Sequence, residues 1–202
     1  FTGPGQPIGA WSTGANTNTA ASANRGAGTQ GTQTAALATG GSTGGAPGVF
    51  ANVEDYNGTS WTEIADLNVA KQLAISIGTN TATLVAAGNN GSALATTESW
   101  NGSAWTEVAD LNTAGRACNG MGLTNTANLM VGGKNRESLV ESWNGSSWSE
   151  IAEINTARVQ TNCWGSSTSG VTAGGADHPA ENTIDNVESW NGSAWTEIVD
   201  LN

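Results

Sequence analysis

Apolar residues come in short runs along this chain, and Gly, Asn, Ser or Thr stops nearly every run. Four runs close on glycine: LATGG at Gly41, LVAAG at Gly88, LMVGG at Gly133 and VTAGG at Gly175. After each, a short alternating run meets Asn-Gly, and a second run then opens on tryptophan. The four copies are EDYNGTSWTEIADLN (Glu54–Asn68), ESWNGSAWTEVADLN (Glu98–Asn112), ESWNGSSWSEIAEIN (Glu141–Asn155) and ESWNGSAWTEIVDLN (Glu188–Asn202). Asn-Gly between strand-like runs predicts a tight β-hairpin, because the turn needs positive φ at its centre. Each hairpin carries one aromatic per strand: Tyr56 with Trp61, Trp100 with Trp105, Trp143 with Trp148, Trp190 with Trp195. Upstream of each apolar run, a stretch of small residues has a glycine at a constant place (Gly28, Gly78, Gly122, Gly165). The pattern predicts four short strands per unit, and no segment has a helical period.

The turn asparagines Asn57, Asn101, Asn144 and Asn191 set a period of about 43–47 residues, where four-stranded propeller blades fall. Residues 1–9, with Gly3, Pro4, Gly5 and Pro7, read as an extended lead-in, and 10–202 as one repeat array. Its full units are about 19–68, 69–112, 113–155 and 156–202. Aligning Trp11 with Trp61 makes 10–18 an orphan: the last strand of a unit whose other strands do not precede it. An unpaired strand invites pairing with another chain, so a neighbouring subunit or further blades are its expected partners. The length between glycine pair and turn varies, which marks Ser42–Asn52 and Ala176–Asn186 as the loops that accept insertions. The chain opens on Phe1 without a charged-then-apolar leader, which fits a processed chain or part of a longer one.

Composition changes this picture in two ways. Leu, Ile, Val and Phe make up only about 15% of the chain, under the roughly 20% below which disorder is suspected. Yet the chain has 9 Trp, seven of them locked to the repeat together with Tyr56. Burying one aromatic removes about 150–250 Å², so repeat-phased aromatics can hold a core that aliphatics alone would not. The net charge is −11, and three acidic columns account for most of it: Glu54, Glu98, Glu141, Glu188; Glu63, Glu107, Glu150, Glu197; and Asp66, Asp110, Glu153, Asp200. With 6 basic residues there is no electrostatic footprint for nucleic acid or an anionic membrane, and no run is long enough for a membrane helix. Cys118 and Cys163 are expected to be free, packed thiols rather than a bridge.

A glycine pair closing an apolar strand, then Glu-x-Trp/Tyr, then Trp five residues on, resembles the kelch repeat. The resemblance spans nearly the whole chain and implies an all-β fold: a β-propeller of four-stranded kelch-like blades, four full repeats plus the orphan N-terminal strand. Ala87-Gly88 departs from the diglycine, and the basic residue after Asn-Thr-Ala is clean only at Lys71 and Arg158. The wording of the units also resembles kelch-like arrays of marine phage and environmental bacterial proteins.

Candidate chemistry is sparse. His178 is the single histidine, so no His-based metal cluster or triad stands on its own, and the several His and Tyr ligands of copper-oxidising kelch propellers are not present. No glycine-rich turn is followed by the Lys-Ser/Thr of a phosphate loop. The acidic columns are oxygen-rich enough for Ca²⁺, but Glu63, Glu107, Glu150 and Glu197 read better as a solvated outer strand. Asp66, Asp110 and Asp200 read as caps of the turn into the next unit. Asp177, His178, Glu181 and Asp185 cluster in a variable loop as a candidate ion or ligand site. Trp164 breaks the aromatic phase and is the candidate exposed or channel-facing ring, against the blander reading of core filling. Asn57, Asn90, Asn101, Asn144 and Asn191 head Asn-x-Ser/Thr sequons, four of which the hairpin explains by itself. Metal, cofactor and catalytic residue are each expected to be none.

The expected function is therefore a non-catalytic structural or adhesive module, extracellular or on a virion: a phage tail or virion appendage, or a bacterial surface fibre. Homo-oligomer or neighbouring fibre subunits are the expected partners. The competing reading is a glycan-binding, lectin-type propeller that uses Trp164 and the variable loops on cell-surface glycans.

Overall fold

A computed structural model describes residues 14–21, 26–27, 31–44, 48–180 and 182–201. Among them there is no helix, and sixteen strands form four antiparallel four-stranded sheets. Unit 1 holds β1 (Gly26–Ala27), β2 (Ala36–Ser42), β3 (Val49–Tyr56) and β4 (Trp61–Glu63). Unit 2 holds β5 (Ile75–Thr79), β6 (Ala82–Ala86), β7 (Thr97–Trp100) and β8 (Trp105–Val108). Unit 3 holds β9 (Asn119–Gly122), β10 (Asn128–Val131), β11 (Val140–Trp143) and β12 (Trp148–Glu150). Unit 4 holds β13 (Asn162–Gly165), β14 (Gly170–Ala173), β15 (Val187–Trp190) and β16 (Trp195–Glu197). Each sheet is a meander in chain order, and the first strands stack: β5 beside β1, β9 beside β5, β13 beside β9.

The core lies between sheets rather than within any one of them. Strand side chains alternate between faces, and the second strands bury both. In β6, Val85 faces unit 1 while Leu84 and Ala86 face unit 3; in β10, Met130 faces unit 2 while Leu129 and Val131 face unit 4. This double burial is why these strands read as continuous apolar runs, not as alternation. In units 2 to 4 the aromatic pair faces the preceding unit, and in all four units its rings are tilted and 4.9 to 5.3 Å apart. Trp100 and Trp105 close over Leu67, Trp143 and Trp148 over Leu111, Trp190 and Trp195 over Ile154.

The hairpin forms where Asn-Gly predicts it, but its turn is built differently from the tight, positive-φ turn expected there. Tyr56 pairs directly with Trp61, which leaves a four-residue loop, and the same holds in every unit. Only the glycine has positive φ, 92° at Gly58. The asparagine instead turns its side chain inward: Asn57 Oδ1 accepts the amides of Thr59 and Ser60, both at 3.0 Å. Asn101, Asn144 and Asn191 repeat this bond pattern. An Asx-type turn, not left-handed asparagine, is what selects the residue.

Two further expectations change. Ser42–Asn52 is not one loop, since Gly41 pairs with Phe50 and Ser42 with Val49 beyond a bulge at Thr39/Gly41. The extra residues there lengthen a hairpin, and 45–47 lie outside the described residues. Ala176–Asn186 is a true loop, tied by the Ala176–Thr183 bridge. Of the orphan strand, 10–13 lie outside the described residues, as does the 1–9 lead-in. Residues 14–18 are irregular, as are the matching residues 64–68.

Candidate functional site

The three inter-sheet joints are built alike, and at the centre of each is a carboxylate of the first acidic column, to which the sequence pattern assigns no place. Glu54, Glu98, Glu141 and Glu188 are all fully buried. Each accepts backbone N–H groups from the link that enters its unit: Asn18, Asn68, Asn112 and Asn155 donate to it at 2.6, 2.6, 2.8 and 2.7 Å. The following amides, Thr19, Val69, Thr113 and Thr156, donate to the other oxygen. A buried charge is tolerated only when paired and hydrogen-bonded, and for Glu98, Glu141 and Glu188 the described residues include a buried cation. Lys71 Nζ lies 3.2 Å from Glu98, Arg136 Nη1 2.8 Å from Glu141, and Arg158 Nη2 2.7 Å from Glu188. Burial pushes Lys71 below the usual lysine range, against the pull of Glu98 beside it.

Unit 3 supplies its cation from elsewhere. Lys71 and Arg158 hold equivalent positions, and the unit 3 residue there is Gly115. Arg136 reaches in from the β10–β11 loop instead, and a Cβ on Gly115 would stand 2.4 Å from its Cδ. The glycine makes the room that the arginine fills. Arg116, the basic residue nearest in sequence, takes no part. A signal existed in the sequence: the missing base at position 115 coincides with the only Arg in the loops that follow the glycine pairs.

Joints are also laced through backbone. Gly41, Gly88 and Gly133 donate to the carbonyls of Lys71, Gly115 and Arg158 in the next unit, at 2.9, 2.9 and 3.1 Å. A Cβ on Gly133 would meet Cys118 Cα at 2.8 Å, at a φ of 103°, so the second glycine of the pair is obligatory there. The first is not: Ala87 adopts a φ of 61° in its place. Nearer the stacked first strands, Leu73, Ala117 and Gln160 are left-handed, and Ala117 N donates to Leu73 O and Gln160 N to Ala117 O, both at 3.2 Å. These residues, with Cys118, Asn119 and Asn162, line a cleft of about 340 Å³.

The predicted ligand residues do not converge. Trp164 stands on β13 toward the β13–β14 hairpin and is 60% exposed, so it does not fill the core. Asp177, His178 and Asp185 hang from the opposite end of β14. Asp177 accepts from the backbone and side-chain amides of Asn182, at 2.6 and 3.1 Å. His178 Nδ1 lies 2.9 Å from Glu137 of unit 3, so it bridges two loops and turns away from its own cluster. Asp185 offers its backbone carbonyl to Leu201 N, and Glu181 lies outside the described residues. Among the described residues no three His, Cys, Asp or Glu side chains come together as a metal site.

The remaining acidic columns are surface features. Glu63, Glu107, Glu150 and Glu197 are exposed, and Glu63 and Glu197 accept from Asn52 and Asn186. Asp110 accepts from Thr97 N in β7, not from the turn into the next unit. Asn57, Asn90, Asn101, Asn144 and Asn191 are all exposed. Cys118 and Cys163 are free, and burial pushes each thiol up to about 12. For Cys118 the sulfur itself is packed against Gly115 and Gly133, although the residue's backbone borders the cleft. No protein-family model matches the chain, and no curated protein matches it.

Proposed function

We propose that the four units are kelch-type blades of a β-propeller, and that the chain is a non-catalytic structural or adhesive module of an extracellular assembly. A phage tail or virion appendage and a bacterial surface fibre are the settings that fit its repeat style. What supports the reading is where the chemistry goes: the buried carboxylates, cations and aromatic pairs all serve to join one unit to the next. Such a chain is a stiff scaffold that leaves loops and outward faces to meet partners. Light scattering on the purified chain, followed by negative-stain imaging, tests this: rings, filaments or other assemblies are expected. Single particles of one chain at every concentration would count against it.

One observation favours a second reading, glycan binding. The exposed indole of Trp164 offers a stacking face of the kind that sugars use. A glycan-array signal that Trp164→Ala abolishes would put this reading first.

A further inference from the structure

The joints between units are alike at their cores but differ at one rim, where the turn after a unit's first strand meets the hairpin of the unit before it. In units 2, 3 and 4 the first tryptophan of the aromatic pair fixes that turn. Trp100, Trp143 and Trp190 donate Nε1 to the carbonyls of Asn80, Asn125 and Ser167 at 3.0, 2.9 and 3.0 Å. The side chain of the residue so held decides how the rim closes. Asn80 Nδ2 reaches back to Asp55 of unit 1 at 3.3 Å, and Asn125 Nδ2 to Ser99 Oγ and Trp100 O of unit 2, both at 3.0 Å. Ser167 is shorter, and its side chain makes no such bond among the described residues.

Trp143 faces back toward unit 2, so strand alternation turns its neighbour Ser142, the counterpart of Asp55 and Ser99, toward unit 4. Where asparagine closes the first two rims, Ser142 and Ser167 leave a cavity of about 410 Å³ between units 3 and 4. Unit 3 also gives Ile151 and Ala152 to its wall, and unit 4 gives Trp190 and Ser193. The same joint carries a stranded donor. Trp105 Nε1 donates to Ala65 O at 2.9 Å, but its counterpart Trp195 Nε1 is buried without an acceptor. The residue in Ala65's place is Ala152, which borders the cavity. A buried donor left unpaired is costly, and it favours a ligand that brings oxygen to this joint.

We propose that this cavity binds one ring of a neutral sugar. No charged side chain lines it, so an ionic ligand would lose its hydration without gaining a counter-charge. A wholly apolar ligand would strand the hydroxyls of Ser142 and Ser167. A pyranose suits both kinds of wall. Its hydroxyls meet Ser142, Ser167 and Ser193, the last as an acceptor, because Ser193 Oγ donates to Asn191 Oδ1 at 2.9 Å. Its C–H face meets Ile151 and Trp190. The volume falls within the range of small-molecule pockets, about 300–1,000 Å³. This inference rests on the glycan reading above and gives it a site other than Trp164.

The test is saturation-transfer NMR on the full chain with free glucose, galactose and mannose as probes, beside an array of neutral oligosaccharides. Ser167→Asn rebuilds the asparagine of units 2 and 3 and fills the cavity. Ser142→Ala takes a hydroxyl from its wall and adds no bulk, and near-UV circular dichroism checks that both variants are folded. Wild type and W164A should bind at least one of the sugars alike. S167N should weaken that binding about tenfold or more, with S142A between the two. If S167N and S142A bind as wild type does, the proposal is overturned, and an array signal lost in W164A keeps the glycan reading at Trp164. If wild type binds none of the three sugars while the array is positive, the proposal falls and the glycan reading stands. If both are silent, both fall.

Discussion

Leu111 and Leu201 occupy the same place in their repeats, four residues past an exposed outer-strand glutamate, in links spelt alike. One is 4% exposed and the other 54%. Around Leu111 the unit 3 sheet brings Met130, Trp143 and Trp148 against Ile77 and Leu84 of unit 2, and Glu141 takes the amides of the link. Around Leu201 the same link leaves its side chains facing outward. The motif therefore does not carry its own burial. It carries half of a joint, and the neighbouring sheet decides whether that half becomes core or surface.

The sharpest way to break the contrast is to remove the carboxylate from a closed joint. Glu98→Ala leaves Lys71 buried without its partner and strips acceptors from Asn68 and Val69; breaking a buried pair this way costs about 3–5 kcal/mol. Urea unfolding should show that loss, and a loss under about 1 kcal/mol would mean that the carboxylate does not hold the joint.

Next in size is the leucine comparison itself. Leu111→Ala should cost about 2–5 kcal/mol as a buried truncation, and Leu201→Ala in dilute, single-chain solution should stay within about 0.5 kcal/mol. Equal losses would erase the distinction between joint and face.

The third prediction concerns how a joint finds its cation. Arg136→Ala should be partly rescued by Gly115→Lys, which restores the base at the position unit 2 uses. Alone, Gly115→Lys collides with the arginine. The double-mutant cycle should show a favourable coupling of about 1–3 kcal/mol, and additivity would mean that the two positions do not share one site.

The smallest effect comes from the buried thiols. Each titrates near 12 when folded and near 9.0 when free. Above pH 9 the unfolded chain therefore releases protons that the folded chain retains, so stability falls from pH 9 toward 12. One thiol contributes up to about 1.4 kcal/mol per pH unit. Cys163→Val should remove its share of that slope in urea midpoints taken across this range. At pH 8 neither native thiol should react with iodoacetamide until urea unfolds the chain.

Much of this architecture is legible along the chain. The period, the strand content, the hairpins and the aromatic pairing follow from local patterns, since Trp143 and Trp148 are held together by a four-residue loop. The solvated role of Glu107 and Glu150 is equally plain, because a short outer strand has one face in water. Glu98 and Glu141 are harder. Nothing in their own sequence separates them from the exposed column, because the amides they accept come from about 30 residues upstream.

What the amino-acid sequence determined by itself is the unit: its length, its four strands, its turn chemistry and the residues it offers to each side. These depend on steric and hydrogen-bonding preferences that act within a hairpin. What only the tertiary structure decided is the fate of those offers. Packing one sheet on the next buried Glu141, drew Arg136 into the space above Gly115, and turned Leu111 into core. It left Leu201, Trp164 and the Tyr56–Trp61 pair facing outward. Desolvation and charge pairing depend on what stands opposite a residue, and that neighbour belongs to a different part of the chain.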